Sequence, residues 1–274
     1  MPLVLELRMA TSIPLEVDAL RLERVVTQPA DDVARTLVGY GNGDVALGEF
    51  FHVSGSAAED ETIVWKGDCS RVKWIAAGLS RGFVRIEGNA GMHLGAGMSG
   101  GEILVDGDVD DWLGAEMRGG RIHVRGNAGH LVGAVYRGGR RGMTGGEILV
   151  DGNAGNEIGH TMRRGLIAIG GNAGDAIGAG MIAGTVLVFG IAGCRAGAGM
   201  KRGTIGLLSA EPFEQLLPTF HYSCTYCPSF LALYLSHLRE LDFPVPGDVD
   251  VSSYRRFCGD LLELGKGEIL TRST

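Results

Sequence analysis

His221-x-x-Cys224-x-x-Cys227 is the most metal-like pattern in the chain. Zinc takes four soft or borderline ligands, and a Cys-x-x-Cys pair supplies two of them from one turn. No second such pair exists, and only Cys258 or His237, brought near by the fold, would complete the set. We read these cysteines as free thiols near one end of the molecule and assign no metal. Gly95-Ala96-Gly97-Met98-Ser99-Gly100 matches G-x-G-x-x-G. A dinucleotide site needs a strand before that motif, a helix after it and an acidic residue for the ribose. Here the following segment is again strand-like, and near-copies recur at Gly178 and Gly197, so the motif reads as a structural turn. The chain contains no G-x-x-x-x-G-K-[ST] or H-E-x-x-H, the patterns of phosphate loops and zinc proteases. No catalytic residue is assigned.

Charge is arranged more suggestively. Arg118, Arg163/Arg164 and Lys201/Arg202 occupy the two positions after Met117, Met162 and Met200. The segment Val135-Tyr136-Arg137-Gly138-Gly139-Arg140-Arg141 falls at the same corner of its repeat. Clustered arginines pair well with carboxylates, so such an edge on an acidic protein suits a polyanionic ligand or an acidic partner. Tyr136, Arg137, Arg140, Arg141, Arg163, Arg164 and Arg202 are the candidate contacts. The alternative is a solvated edge offset by nearby acids. Glu87, Asp106 and Asp151, a column interrupted by Arg125, read as a solvated face.

These residues are placed by a repeat of the form G-x-x-M-x-x-G-x-I-x-V-x-G-N-A-G. Its marker glycines are Gly88, Gly107, Gly126, Gly152, Gly171 and Gly190, spaced 19, 19, 26, 19 and 19 residues, so one repeat carries a seven-residue insertion. A looser copy ends at Gly67. A fixed period means that each unit buries its apolar face against its neighbours. Four and two residues before each marker stand Ile63/Trp65, Val84/Ile86, Ile103/Val105, Ile122/Val124, Ile148/Val150, Ile167/Ile169 and Val186/Val188. This alternation predicts strands with one face buried, and the several glycines in every repeat exclude helical units. The remaining solution is a right-handed β-helix of about seven glycine-rich coils, hence an all-β protein, with coils about 4.8 Å apart. Equivalent residues then form ladders: the aliphatic pairs, the polar series Asp68, Asn89, Asp108, Asn127, Asn153, Asn172, ending at Ile191, and a methionine column, Met98, Met117, Met143, Met162, Met181, Met200, in which Tyr136 or Met143 serves the interrupted repeat. The methionines read as core filling. His93, His130 and His160 sit 5, 4 and 8 residues after their markers, in different ladders, which argues against a shared metal.

The ends differ. Residues 1–60 are an irregular N-terminal cap with short strands at Leu3–Leu7 and Ile13–Val17, a helix within Asp31–Tyr40, a Gly41-Asn42-Gly43 turn and an aromatic layer at Leu47–Phe51. Residues 61–208 carry the repeats, and 209–274 form a helical tail or docking segment, with helices over Pro228–Leu241 and Ser252–Leu264. Net charge is −7, against non-specific nucleic-acid binding. Five thinly spread cysteines and the lack of an apolar run of spanning length point to a reduced, cytoplasmic protein away from membranes.

The repeat, as in Gly159-His160-Thr161-Met162-Arg163-Arg164-Gly165-Leu166-Ile167-Ala168-Ile169-Gly170-Gly171, resembles a glycine-repeat domain shared by two families. One is the glutamate synthase large subunit. The other is the C subunit of formylmethanofuran dehydrogenase, with its bacterial relative in the formyltransferase/hydrolase complex. A Pro218-Thr219-Phe220 tail on a short chain is most similar to the second family. That resemblance implies a scaffold without a cofactor of its own. Its partners would be an amidohydrolase-like hydrolase, a formyltransferase and a degenerate formate-dehydrogenase-like subunit. The methanofuran-type carrier, whose tail is glutamate-rich in this family, and the metals would belong to those partners. Two alternatives stand beside it: the C subunit of an archaeal-type molybdenum or tungsten formylmethanofuran dehydrogenase, and a stand-alone glutamate-synthase-type spacer. An independent enzyme using His221, Cys224 and Cys227 is the reading from a different class.

Overall fold

The computed structural model describes all residues except 10, 214, 251 and 274. The first sixty residues form β1 (Leu3–Leu7), β2 (Leu15–Glu16), α1 (Leu22–Val25), α2 (Ala30–Ala34), β3 (Leu37–Tyr40), β4 (Gly43–Ala46) and β5 (Phe51–Ser54). The helix expected within Asp31–Tyr40 stops at Ala34. From Leu37 the chain turns back at Gly41-Asn42 and pairs antiparallel with β4, so cross-strand bonding takes residues that short-range pattern assigns to a helix.

Each repeat supplies one strand: β6 (Thr62–Lys66), then, after the two-residue β7 (Val72–Lys73), β8 (Phe83–Glu87), β9 (Ser99–Val105), β10 (Gly119–Val124), β11 (Glu147–Val150), β12 (Leu166–Ile169), β13 (Thr185–Val188) and β14 (Arg202–Leu207). They pair in parallel and in register, Ile63 against Val84, Ile103, Ile122, Ile148, Ile167, Val186 and Ile205 in turn. A second parallel column joins Cys69, Ala90, Val109, Ala128, Ala154, Ala173 and Ala192. The protein is thus mainly β, built on a 13-stranded sheet, with a four-stranded sheet of β4, β3, β2 and β7 beside it. The aliphatic columns and all six methionines are buried; each such side chain contributes about 1.5–3 kcal/mol by leaving water. Met143, not Tyr136, holds the methionine position in the long repeat: its N–H donates to Gly133 O, which closes the stack over residues 135–141.

The polar ladder is hydrogen-bonded throughout. Asn127 Oδ1 accepts from the N–H (2.9 Å) and the side-chain amide (3.1 Å) of Asn153, and Asn153 and Asn172 repeat the backbone contact one rung on. This explains the marker glycines, since a Cβ on Gly152 would stand 2.6 Å from Asn127 Oδ1 and 2.7 Å from Gly126 O. A second ladder, which the repeat consensus does not show, runs beside it. Asp111, His130, Asn156 and Asp175 each accept a backbone N–H from the next rung, ending at Cys194. Because His130 Nδ1 accepts the Asn156 N–H, the proton of the neutral ring lies on Nε2.

Beyond β14 come β15 (His221–Tyr226), α3 (Ser229–Glu240), β16 (Tyr254–Gly259) and β17 (Lys266–Arg272). The helix expected at Pro228–Leu241 is present as α3, whereas Ser252–Leu264 is not helical. It is β16 followed by turns, and the tail is only partly helical. The reason is the exposed bonding edge of the last repeat. β17 pairs in parallel with β14, placing Ile269 on Ile205, and β16 pairs antiparallel with β17. At the other end β1 pairs in parallel with β6, with Leu3 on Ile63. Both non-repetitive ends therefore continue the aliphatic column. Helix α3 lies on the outer face of the sheet. There Leu149, Ala168 and Leu187, the middle residues of β11–β13, form a second core with Leu231, Leu235 and Leu238. One-sided burial was expected for these strands, but β12 and β13 are buried on both faces.

Candidate functional site

In-register stacking decides which basic residues meet. The N–H of Arg163 donates to Met143 O, that of Ile182 to Met162 O and that of Lys201 to Met181 O. Arg163/Arg164 and Lys201/Arg202 therefore flank one rung of Ile182-Ala183, about 9.6 Å apart by two strand spacings. They line a cleft of about 680 Å³ that Tyr234 of α3 and Leu264 help to wall. Tyr234 is fixed by its hydroxyl contact with Thr185 Oγ1 at 3.2 Å. Arg118, on the same ladder, opens instead into a separate cleft of about 630 Å³ with Arg21, Glu16, Asp18 and Trp74. Among the described residues, no carboxylate lies within ion-pair distance of Arg118, Arg137, Arg140, Arg141, Arg163, Arg164 or Arg202.

Elsewhere on the sheet several charges are matched. Lys66 meets Glu87, Arg85 meets Asp106, and Arg125 and His123 both meet Asp151. The acidic column is thus a run of ion pairs. Hydrogen bonding to Asp106 and the charge of that carboxylate hold the Arg85 guanidinium above its ordinary range. Glu147 is bound by Arg121 Nε at 3.2 Å and by His237 Nε2 at 2.6 Å, which joins α3 to the sheet.

The insertion folds back on the stack. Trp74, His93 and Trp112 are successive residues of one left-handed ladder, with φ of 65–67°. Trp74 stacks on His93 at 4.1 Å, and Tyr136 stacks on Trp112 at 4.8 Å. Burial, then the charge of Lys73, lowers the His93 pKa, with Asp110 and Asp111 opposing them. Burial raises the Tyr136 hydroxyl well above its usual range. Tyr136 Oη and His93 Nδ1 share a hydrogen bond of 2.9 Å, its donor set by the imidazole tautomer. Arg137, Arg140 and Arg141 stay exposed on the loop that Tyr136 anchors. Sequence spacing put Tyr136 and the arginines in one group; the structure splits them into an anchor and a charged rim. The ring ladder could have been found from Trp74, His93 and Trp112 lying 19 residues apart.

His221 and Cys224 lie on β15, an exposed edge strand, opposite Cys258 and, after a register shift, Arg256. Cys224 and Cys227 are exposed free thiols. No group of three metal-ligating side chains is placed to hold an ion among the described residues. Nor is any described helix long and apolar enough to cross a membrane.

Comparison with known proteins places this geometry. Residues 67–217, more than half of the chain, match the model of the GXGXG motif family. The chain belongs to that family. Over 83 residues it is 43% identical to the C subunit of the molybdenum-containing formylmethanofuran dehydrogenase 1 of Methanothermobacter marburgensis, covering 30% of this chain and 21% of that one. Over 86 residues it is 36% identical to the C subunit of the tungsten-containing formylmethanofuran dehydrogenase 2 of the same organism, covering 30% and 32%. The matched part of the chain therefore spans about a fifth to a third of these curated relatives. A chain of the X-ray structure of the formyltransferase/hydrolase complex (FhcABCD) from Methylorubrum extorquens, determined with methylofuran, matches with a TM-score of 0.90 and 30% identity, over 99% of this chain and 100% of that one. The resemblance read from the repeat is thus found in both sequence and structure.

Proposed function

We propose that this chain is the non-catalytic scaffold subunit of a cytoplasmic formyltransferase/hydrolase complex. The complex moves a formyl group from formyl-tetrahydromethanopterin to a methanofuran-type carrier and releases formate. The observation that carries this reading is the end-to-end match to a chain of the FhcABCD complex. The stacked repeats are then about seven coils of a right-handed β-helix over residues 61–208, with 1–60 as its cap and 209–274 as the docking tail. An amidohydrolase-like hydrolase, a formyltransferase and a degenerate formate-dehydrogenase-like subunit are its partners, and they hold the metals and the reacting end of the carrier. The relatives from molybdenum and tungsten dehydrogenases favour an archaeal-type enzyme as the second reading, with much shorter alignments.

Purification of the chain from its native source tests the assignment. Hydrolase and formyltransferase polypeptides are expected in fixed ratio with it; a chain that runs alone overturns the reading. The exposed arginines of the insertion suit the acidic tail of a carrier or an acidic partner surface. Replacing Arg137, Arg140 and Arg141 together by Ala is expected to lower assembly or formyl transfer about three- to tenfold, at roughly 0.2–0.5 kcal/mol per exposed charge. The deficit should be largest at low salt and shrink as salt screens the attraction in the wild type. Unchanged assembly and turnover at every salt concentration would remove this role.

A further inference from the structure

We infer that the cleft between α3 and the Leu261–Gly265 turn is a docking surface for another protein: a polypeptide face with an apolar pocket ringed by carboxylates. This deepens the reading of the chain as one subunit of a complex and rests on it. Two observations meet in the cleft. The first is charge. Arg163, Arg164 and Arg202 have no acidic partner among the described residues, and Lys201 reaches only Glu263, at 3.8 Å. On the same sheet Arg85, Arg121, Arg125 and Arg256 are all paired. A chain of net charge −7 that leaves this group unmatched presents a local field suited to an acidic surface.

The second observation is apolar. Leu264, which helps wall the cleft, belongs to a turn on which Leu261, Leu262 and Leu264 are 53%, 82% and 53% exposed. The turn is held in place. Asp260, itself buried, accepts the N–H groups of Leu262 and Gly199, each at 3.0 Å. Burial raises the Asp260 pKa, but these hydrogen bonds outweigh it and keep the carboxyl below its ordinary value. Three exposed leucines on a fixed turn gain nothing from water and lose little entropy on contact. Apolar anchors beside a charged rim are how stable protein interfaces are built. A small polyanion would use the arginines and leave the leucines unexplained, so the observations favour a protein.

The test uses the full chain with its co-purifying subunits. The R163E/R164E double variant and, separately, Leu262→Asp are expected to weaken assembly at least tenfold by native mass spectrometry and binding titration. The charge reversal should also flatten the salt dependence. Unaltered hydrogen exchange in α3 and β17 would show that both variants keep the fold; Leu262 is exposed, so its replacement is not expected to disturb packing. Wild-type affinity in both variants overturns the inference while the subunit reading stands. Binding of an oligoglutamate peptide that depends on Arg163/Arg164, with Leu262→Asp and assembly unaffected, also overturns it, in favour of a small acidic ligand. A wild-type chain that binds no other polypeptide removes the subunit reading and this inference with it.

Discussion

A Gly152→Val chain is expected to lose about 3–5 kcal/mol of unfolding free energy, from overpacking against backbone and from broken ladder hydrogen bonds. A Cβ there meets Asn127 Oδ1 at 2.6 Å, Gly126 O at 2.7 Å and Gly126 C at 3.0 Å. Two of these three atoms are backbone, so no rotamer change relieves the overlap and the rung has to move. Movement opens the Asn127–Asn153 bonds and strains the β10–β11 pairing beside them. Stacked repeats transmit stability only to their neighbours, so a weakened junction should divide the molecule. Trp65, Trp74 and Trp112 all lie before Gly152 and report on the leading half. Urea unfolding followed by tryptophan fluorescence should separate from hydrogen exchange measured over β12–β17. A single unshifted transition by both probes would show that the close approach is not what the glycine is for.

Leu235→Asp is expected to release α3 and leave the leading rungs intact. Leu235 is 1% exposed and packs with Leu231 and Leu238 against Leu149, Ala168 and Leu187. Truncating a core leucine costs about 2–5 kcal/mol, and a carboxylate in its place adds a desolvation penalty. The polar seats cannot hold the helix by themselves, because His237–Glu147 and Tyr234–Thr185 are partly exposed. Amide exchange in α3 should accelerate about a thousandfold, the equivalent of about 4 kcal/mol of local opening. Exchange in β8–β10 should stay as it was, since the second core does not include them. Protection of α3 at the wild-type level would mean that its seat lies elsewhere.

Much of this architecture was legible because it is periodic. The 19-residue beat located every repeat strand, both aliphatic columns and the Asn/Asp ladder, since stacking makes equivalent positions neighbours. The beat was silent at the ends. Tyr254, Phe257 and Leu261 are spaced as on a helix face, yet the first two lie in β16 and the third on an exposed turn. Intrinsic helix preference amounts to tenths of a kcal/mol per residue, and a bonding edge left open by β14 outweighs it. The outer-face apolar residues Leu149, Ala168 and Leu187 carried a readable signal of burial on both sides, but only contact with α3 shows what covers them.

The candidate site divides in the same way. By itself the sequence determined that basic residues follow the methionines and that a seven-residue insertion falls at the same corner, because position within a repeat fixes position around the stack. Only the tertiary structure decided which of them share a surface. Arg163/Arg164 and Lys201/Arg202 meet in one cleft because α3 and the Leu261–Gly265 turn wall it, whereas Arg118 opens into another. Tyr136 left the charged group altogether, since its ring finds Trp112 and its hydroxyl finds His93 across rungs 24 and 43 residues away in sequence. Periodicity encodes contacts between neighbouring rungs; contacts made by a loop or a tail that folds back have no period to encode them.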